Sequence, residues 1–323
     1  MVNPFRFAVY SYSATSAADW RQQARTAEEL GYSTFFTADH HIGPGPALTA
    51  SKVGVQDLAA IPAIMAAADV TSTINVGCRV LGTDYRHPVV LAKELASLDM
   101  LSDGRLEVGL GCGWMADEYE AMGIPYDRAG VRIDRMSETL AVIRACFGDG
   151  EVDIDGTYFQ VHGFEGVPKP VRPGGPPIMI GGGAPRVLGL AGREADIVSV
   201  NLDNRTGRLG PEGTTSGSGA HTARKIEWIK AGAGDRFDQI ELEIGAYFTV
   251  VTDDRQGAIE GIAGRFGADP AVFADHAHTL IGSVDGICEQ LESRRETYGF
   301  SYITVGTRVA EDFAPVVERL SGT

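Results

Sequence analysis

The sequence is poor in the residues that announce a metal site, a disulfide framework or a polyanionic partner. It has only four cysteines, Cys78, Cys112, Cys146 and Cys288, and none fall at zinc or redox spacing. That pattern reads as a reducing compartment with no structural metal. Basic residues are outnumbered, 28 Lys and Arg against 43 Asp and Glu, giving a net charge of −15. Such a balance argues against nucleic acid or an anionic membrane as the main partner. No apolar run approaches the ~20 residues of a membrane span. The start, Met1–Tyr10, reads as a strand and not as a secretory signal, so the expected location is the cytoplasm. Several catalytic signatures are missing as well. The segment Ser11-Tyr12-Ser13-Ala14-Thr15 carries no dinucleotide Gly motif, no Lys-Ser/Thr pair follows a glycine loop, and there is no Gly-x-Ser-x-Gly elbow. No histidine pair has convincing metal spacing, and the adjacent His40 and His41 cannot easily share one ion.

What is present is a regular alternation of short apolar runs and helical periods. Strands are expected at 5–10, 34–38, 74–80, 105–110, 177–180, 197–200, 241–251 and 302–305. Helices are expected at 17–30, 57–68, 88–101, 132–146, 185–192, 220–231, 255–266, 284–298 and 311–320. Eight buried strands, each followed by helix, predict an α/β fold, a (β/α)8 TIM barrel in one domain over residues 1–323. Two segments break the rhythm and read as insertions after strands four and six. Residues 151–177 hold a hairpin (151–154 with 158–161), and 202–219 include the Gly/Ser/Thr-rich, mobile stretch 206–219.

In such a barrel, chemistry sits in the loops that follow the strands. The run Phe35-Phe36-Thr37-Ala38-Asp39-His40-His41 ends a buried strand in an acid and two imidazoles, and makes Asp39 and His40 candidates. Gly181-Gly182-Gly183 follows strand five and leads into a helix from Pro185. That arrangement suits a phosphate cradle, with a plain tight turn as the competing reading. Gly109, Gly111 and Gly113 suit close approach of a flat ring to a strand. Trp114, next in line, is open to two roles, stacking on a ring or filling the barrel mouth. Glu118 and Tyr119 are open between site and solvent, and Asn201 closes strand six. His87 reads as a helix-entry contact, and His162, His221, His276 and His278 as solvated.

These residues resemble the bacterial luciferase-like superfamily. The resemblance is carried by Ala38–His41, by Arg86–Glu94, by the specific run Leu98–Trp114, by Gly181–Gly183 and by Ala195–Val198. It implies a TIM barrel binding FMN or the deazaflavin coenzyme F420, and the chain looks most like the actinobacterial F420-dependent branch. It further implies that His40 lies beside the reactive ring carbon, that Asp39 contacts the ring, and that Gly181, Gly182 and Gly183 form the phosphate loop. The stretch Gly77–Val80 matches a bulge with a non-proline cis peptide behind the ring, placed at Arg79–Val80. Trp114 stands where the sugar-phosphate dehydrogenases of the superfamily carry an acid, which speaks against that substrate. The expectation is hydride transfer between F420 and a small-molecule or peptide substrate, a reduction of an activated C=C or C=N bond. His40 serves either as proton donor or acceptor or only as a hydrogen-bond partner of the ring, and Trp114 is a further catalytic candidate. The alternatives are an FMNH2-dependent monooxygenase and a non-catalytic flavin-binding subunit. A homodimer is possible.

Overall fold

The computed structural model describes residues 3–51 and 53–323; Met1, Val2 and, in the loop 42–56, Lys52 lie outside the described residues. The strands are β1 (Arg6–Tyr10), β2 (Thr34–Thr37), β3 (Asn75–Cys78), β4 (Leu81–Gly82), β5 (Leu106–Gly111), β6 (Val152–Asp155), β7 (Gln160–Phe164), β8 (Ile178–Gly182), β9 (Ile197–Val200), β10 (Glu241–Gly245), β11 (Phe248–Val251), β12 (Thr279–Gly282) and β13 (Phe300–Gly306). Nine of them form one sheet in the order β3-β2-β1-β13-β10-β9-β8-β5-β4, and an additional β3–β5 pairing closes it. With β3 and β4 counted as one interrupted strand, this is a (β/α)8 barrel.

The chain divides into two compact units. The first comprises residues 1–11, 26–35 and 181–323. Its barrel strands pair in parallel, β1 with β13, and β10 with both β13 and β9. Apolar side chains fill it because these strands are buried along nearly their whole length: β9 and β13 show almost no exposed position. The second unit comprises residues 12–25 and 36–180, with β5 pairing both β3 and β4. The helix Pro88–Leu101 has the limits the sequence predicts. Pro88 occupies the first turn, and the His87 side chain accepts a hydrogen bond from the Val89 amide, the helix-entry role expected for it.

Three sequence expectations need correction. The apolar run 241–251 is two strands, not one. β10 ends at Gly245, and β11 leaves the barrel to pair in parallel with β12, forming a small separate sheet whose Ile281 packs in a cluster with Ile259, Ile262, Ala263 and Phe273. The partner β12 lies about thirty residues downstream, so periodicity within the run carries no sign of the change. The strand 74–80 is interrupted: β3 stops at Cys78, and the Arg79–Val80 peptide is cis, where the family resemblance placed it. The stretch 206–219 contains a short helix, Pro211–Thr215. The expected hairpin is present as antiparallel β6 and β7.

Glycines 109 and 111 receive a structural explanation here. A Cβ on Gly109 would run into the carbonyl oxygen of Cys78, and one on Gly111 would meet Val80 Cγ2 at 2.5 Å. The side-chain space is filled by the interrupted strand, so glycine is required without any ring. Gly113, at φ +71°, has Tyr119 against it. Gly109→Ala is therefore expected to lower stability by about 1–3 kcal/mol, measured by denaturant unfolding. An unchanged midpoint would show that β5 has room to shift.

Candidate active site

The exit of β2 gathers two carboxylate–imidazole pairs. Asp39 is fully buried and holds Arg86 through two hydrogen bonds, Nη1 to Oδ2 at 2.6 Å and Nη2 to Oδ1 at 2.8 Å. It also accepts from the Gly82 amide at 2.9 Å, and His41 Nε2 lies 3.3 Å from Oδ1. Burial pushes the Asp39 carboxyl up, but His41, Arg86 and the Gly82 amide together outweigh it and hold the pKa down at about 2. The same contact with Asp39 raises the pKa of His41.

The second pair is His40 with Glu118. His40 Nδ1 lies 2.9 Å from Glu118 Oε2. The Glu118 side chain is wholly buried, whereas that of His40 is 26% exposed. Glu118 also accepts from the His41 backbone amide and, at 2.8 Å, from the Tyr85 hydroxyl. Burial of Glu118 opposes ionisation, yet the His40, His41 and Tyr85 donors hold its pKa below the usual value. A carboxylate at Nδ1 requires a proton there, which in the neutral ring leaves Nε2 as the acceptor. The backbone is pinned too: Gln56 Oε1 accepts from the His40 amide at 2.9 Å, while Gln56 Nε2 donates to the carbonyls of Ala38 and Leu58. The Trp114 ring stands edge-on to His40, with 6.0 Å between centroids, and its carbonyl accepts from Tyr126. Around these pairs, Asp84 clamps Arg135 and accepts from Tyr119, and Tyr85 packs on Tyr119.

At the exit of β8, the glycine loop is packed as tightly as its composition suggests. A Cβ on Gly182 would strike Val187, and one on Gly183 would meet the carbonyls of Leu202 and Asn201. Among the described residues, the amides of Gly183 and Ala184 have no hydrogen-bond partner, and the helix Pro185–Glu194 begins directly after them. Asn201 is a hub. Its amide donates to the Gly182 carbonyl at 2.8 Å, its carbonyl accepts from Lys225 Nζ at 2.6 Å, and its Oδ1 accepts from the Tyr247 hydroxyl. Beneath Tyr247 the His278 ring lies nearly parallel, 5.1 Å away.

The structure thus joins Asp39, His40 and Trp114 with Arg86, Tyr85, Gln56 and Glu118 in one unit, and Gly182, Gly183 and Asn201 with Lys225 and Tyr247 in the other. Arg79 is buried beside the cis peptide. His162 and His221 are exposed as expected, but His276 and His278 are fully buried, contrary to the sequence reading. Each has a backbone carbonyl, of Thr214 and Gly245 respectively, to satisfy a ring nitrogen. Lys225 was missed entirely. Its signal is readable afterwards, because it falls within the buried stripe Thr222, Lys225, Ile226, Ile229 of its helix.

A family model described as luciferase-like monooxygenase matches residues 1–266. An F420-dependent glucose-6-phosphate dehydrogenase of Beutenbergia cavernae is 32% identical over 171 residues, 53% of this chain and 48% of that protein. An uncharacterised protein of Mycobacterium bovis is 32% identical over 183 residues, 54% of this chain and 64% of its own length. The matched part thus spans about half to two thirds of these curated relatives. Among solved structures, the coenzyme F420-dependent tetrahydromethanopterin reductase of Methanopyrus kandleri superposes with a TM-score of 0.76 at 18% identity, covering 99% of both chains. An F420-dependent secondary alcohol dehydrogenase in complex with an F420–acetone adduct gives 0.77 at 19% identity, covering 98% of this chain and 99% of that one. No helix of the described residues is long and apolar enough to cross a membrane.

Proposed function

The chain belongs to the luciferase-like monooxygenase family, and from that premise we propose that it is a coenzyme F420-dependent oxidoreductase acting on a small organic molecule. The reaction is a hydride transfer, in the direction of reducing an activated C=C or C=N bond. The name of the aligned dehydrogenase relative supports the cofactor. The observation that carries the reading is the His40–Glu118 pair. An imidazole at a barrel strand's C-terminal end is backed by a buried acid, with its other nitrogen left for a reacting group.

Each unit by itself holds donors that suit one part of such a group. The unpartnered amides of Gly183 and Ala184 at a helix N-terminus match an anionic tail. The His40 and Trp114 rings match a flat heterocycle that needs a polar partner at its edge. When bound, a deazaflavin supplies a ring carbon that gives or takes a hydride. The residues of this chain do the rest. Glu118 keeps His40 Nδ1 protonated, so Nε2 carries the compensating proton to or from the substrate. Asp39 and Arg86 hold the loop that bears both histidines. Trp114 shields the imidazole from water on one side. An acid stands beside His40 after all, supplied by residue 118 and not by residue 114. The Trp114 argument against a sugar-phosphate substrate therefore loses its weight.

Titrating the protein with oxidised F420 and with FMN, and following fluorescence quenching, tests the reading. F420 is expected to bind with a micromolar or lower Kd and FMN much more weakly. Binding of FMN with none of F420 would move the reading to an FMNH2-dependent monooxygenase.

A further inference from the structure

Arg132 is a buried cation whose hydrogen bonds all go to one loop. It is 4% exposed and is the fourth residue of the helix Ala129–Phe147. Its Nε donates to the Cys112 carbonyl at 3.1 Å, Nη1 to the Asp127 carbonyl, and Nη2 to the Gly113 carbonyl at 3.4 Å and the Tyr126 hydroxyl at 3.3 Å. Tyr126 extends the grip. Its hydroxyl donates to the Trp114 carbonyl at 2.8 Å, and the guanidinium lies over its ring, 4.1 Å from the centroid. Every acceptor is a neutral carbonyl or hydroxyl. The position is unfavourable on two counts: a cation near a helix N-terminus opposes the dipole, and a buried guanidinium has lost its water. A well-packed apolar residue of similar size avoids both costs. What arginine alone supplies is a planar fork of donors that meets several acceptors at fixed angles.

Those acceptors are the two ends of one loop. The chain leaves β5 at Gly111, and residues 112–127 return it to the helix that carries Arg132. Cys112 and Gly113 lie at the start, Tyr126 and Asp127 at the end, so one guanidinium closes the loop at its base, as in an Ω-loop. One turn along the helix, Arg135 adds a second tie, Nη1 to Asp127 Oδ2 at 2.9 Å, and also holds Asp84. The closed loop carries Trp114 and Glu118, which face His40. Glu118 belongs to the short helix Ala116–Met122, which has no side-chain cap at its N-terminus. A helix of that length does not hold itself in place.

We propose that Arg132 is a positioning residue for the His40–Glu118 pair: by closing the loop at its base, it fixes Glu118 Oε2 against His40 Nδ1. The proposal rests on the proposed function only in taking His40 as the proton carrier. The test follows wild type, Arg132→Met and Arg132→Lys by amide hydrogen exchange and by the ¹⁵N shifts of the His40 ring. Arg132→Met keeps the apolar stem and removes the fork. Its amides at 113–124 are expected to exchange about tenfold faster or more, the scale of one hydrogen bond from a charged group, while those of β5 exchange as in wild type. The neutral His40 ring should move from the Nδ1–H form towards a mixture with the Nε2–H form, because the acid that fixes the tautomer is no longer held. Arg132→Lys, a single point donor, should fall between the two. A faster loop with the wild-type His40 tautomer would make Arg132 a structural brace and overturn the proposal. Exchange that rises equally in the loop and in β5 would overturn it too, since that reports global destabilisation. Should Arg132→Met fail to fold, Tyr126→Phe decides. It removes the hydroxyl link to the Trp114 carbonyl at a ring that is 37% exposed, and should shift the same tautomer in smaller measure; wild-type ring shifts would refute the proposal. If wild type binds no F420, the cofactor reading falls while the ring shifts still decide the role of Arg132.

Discussion

Glu118→Gln is expected to lower turnover by about 10²- to 10⁴-fold while leaving the fold intact. The substitution keeps the shape of the side chain and exchanges an acceptor for a donor at one of its two positions. In the wild type both oxygens accept: one from the His41 amide, the other from Tyr85 and from His40 Nδ1. With Gln, the oxygen is retained by the His41 amide, and the –NH2 faces His40 and Tyr85. His40 then presents Nδ1 as acceptor and carries its proton on Nε2, the wrong tautomer for accepting a proton from a reacting group. Losing the base in a positioned proton transfer is worth about 10²–10⁴ in rate, and a tautomer reversal behind a conserved geometry lies at the upper end of that range. The ¹⁵N chemical shifts of the His40 ring read the tautomer directly, with no need of a substrate. If the shifts reverse and turnover with F420 does not fall, His40 only hydrogen-bonds the ring and has no proton role. If the shifts do not reverse, Glu118 does not set the tautomer.

That the acid proved to be Glu118 marks where the sequence stops being legible. The barrel itself is written in local pattern: buried runs of four to six residues separated by helical periods, with Pro at 88 and 185 opening helices. Asp39 and His40 were visible because an apolar strand ends on them. Glu118 was open between site and solvent because its carboxylate reaches a partner 78 positions away. Nothing in the first turn of Ala116–Met122, which carries Asp117 and Glu118 alike, says which acid turns inward. The same limit hid the clamp of Arg86 on Asp39, formed across 47 positions, and the exit of β11 from the barrel. His276 and His278 misled for a related reason. The pair is flanked by the polar Asp275 and Thr279, and its burial comes from Phe248, Phe273 and Tyr247 packed around it. The glycines erred in the opposite direction. Their pattern was read as room for a ring, when the room at 109 and 111 belongs to Cys78 and Val80. Local composition reports that a close approach exists, and not what approaches.

Asp39→Ala is expected to be the most destabilising single change in the site, by about 3–5 kcal/mol, because it strands its partner. Arg86 has a side chain only 14% exposed, and its other carboxylate neighbour, Glu94, lies 3.8 Å away with a pKa raised by burial. Without Asp39, the guanidinium, the Gly82 amide and His41 all lose an acceptor at once. The pH dependence has a definite sign. A carboxyl held at about 2 in the folded chain against 3.8 unfolded contributes stability that is complete above about pH 4 and is lost as pH falls towards 2. The difference corresponds to about 2 kcal/mol. His41 runs the other way: its raised pKa contributes below its unfolded value and is lost as pH rises through the folded one. Both contributions need the same Asp39 oxygens, so Asp39→Ala should remove the two pH limbs together, whereas His41→Gln should remove the alkaline limb and only shrink the acid one, since Arg86 and the Gly82 amide still hold Asp39. Urea unfolding midpoints from pH 3 to pH 9 for the three proteins test this. An acid limb that survives in Asp39→Ala would place the stabilising carboxylate elsewhere.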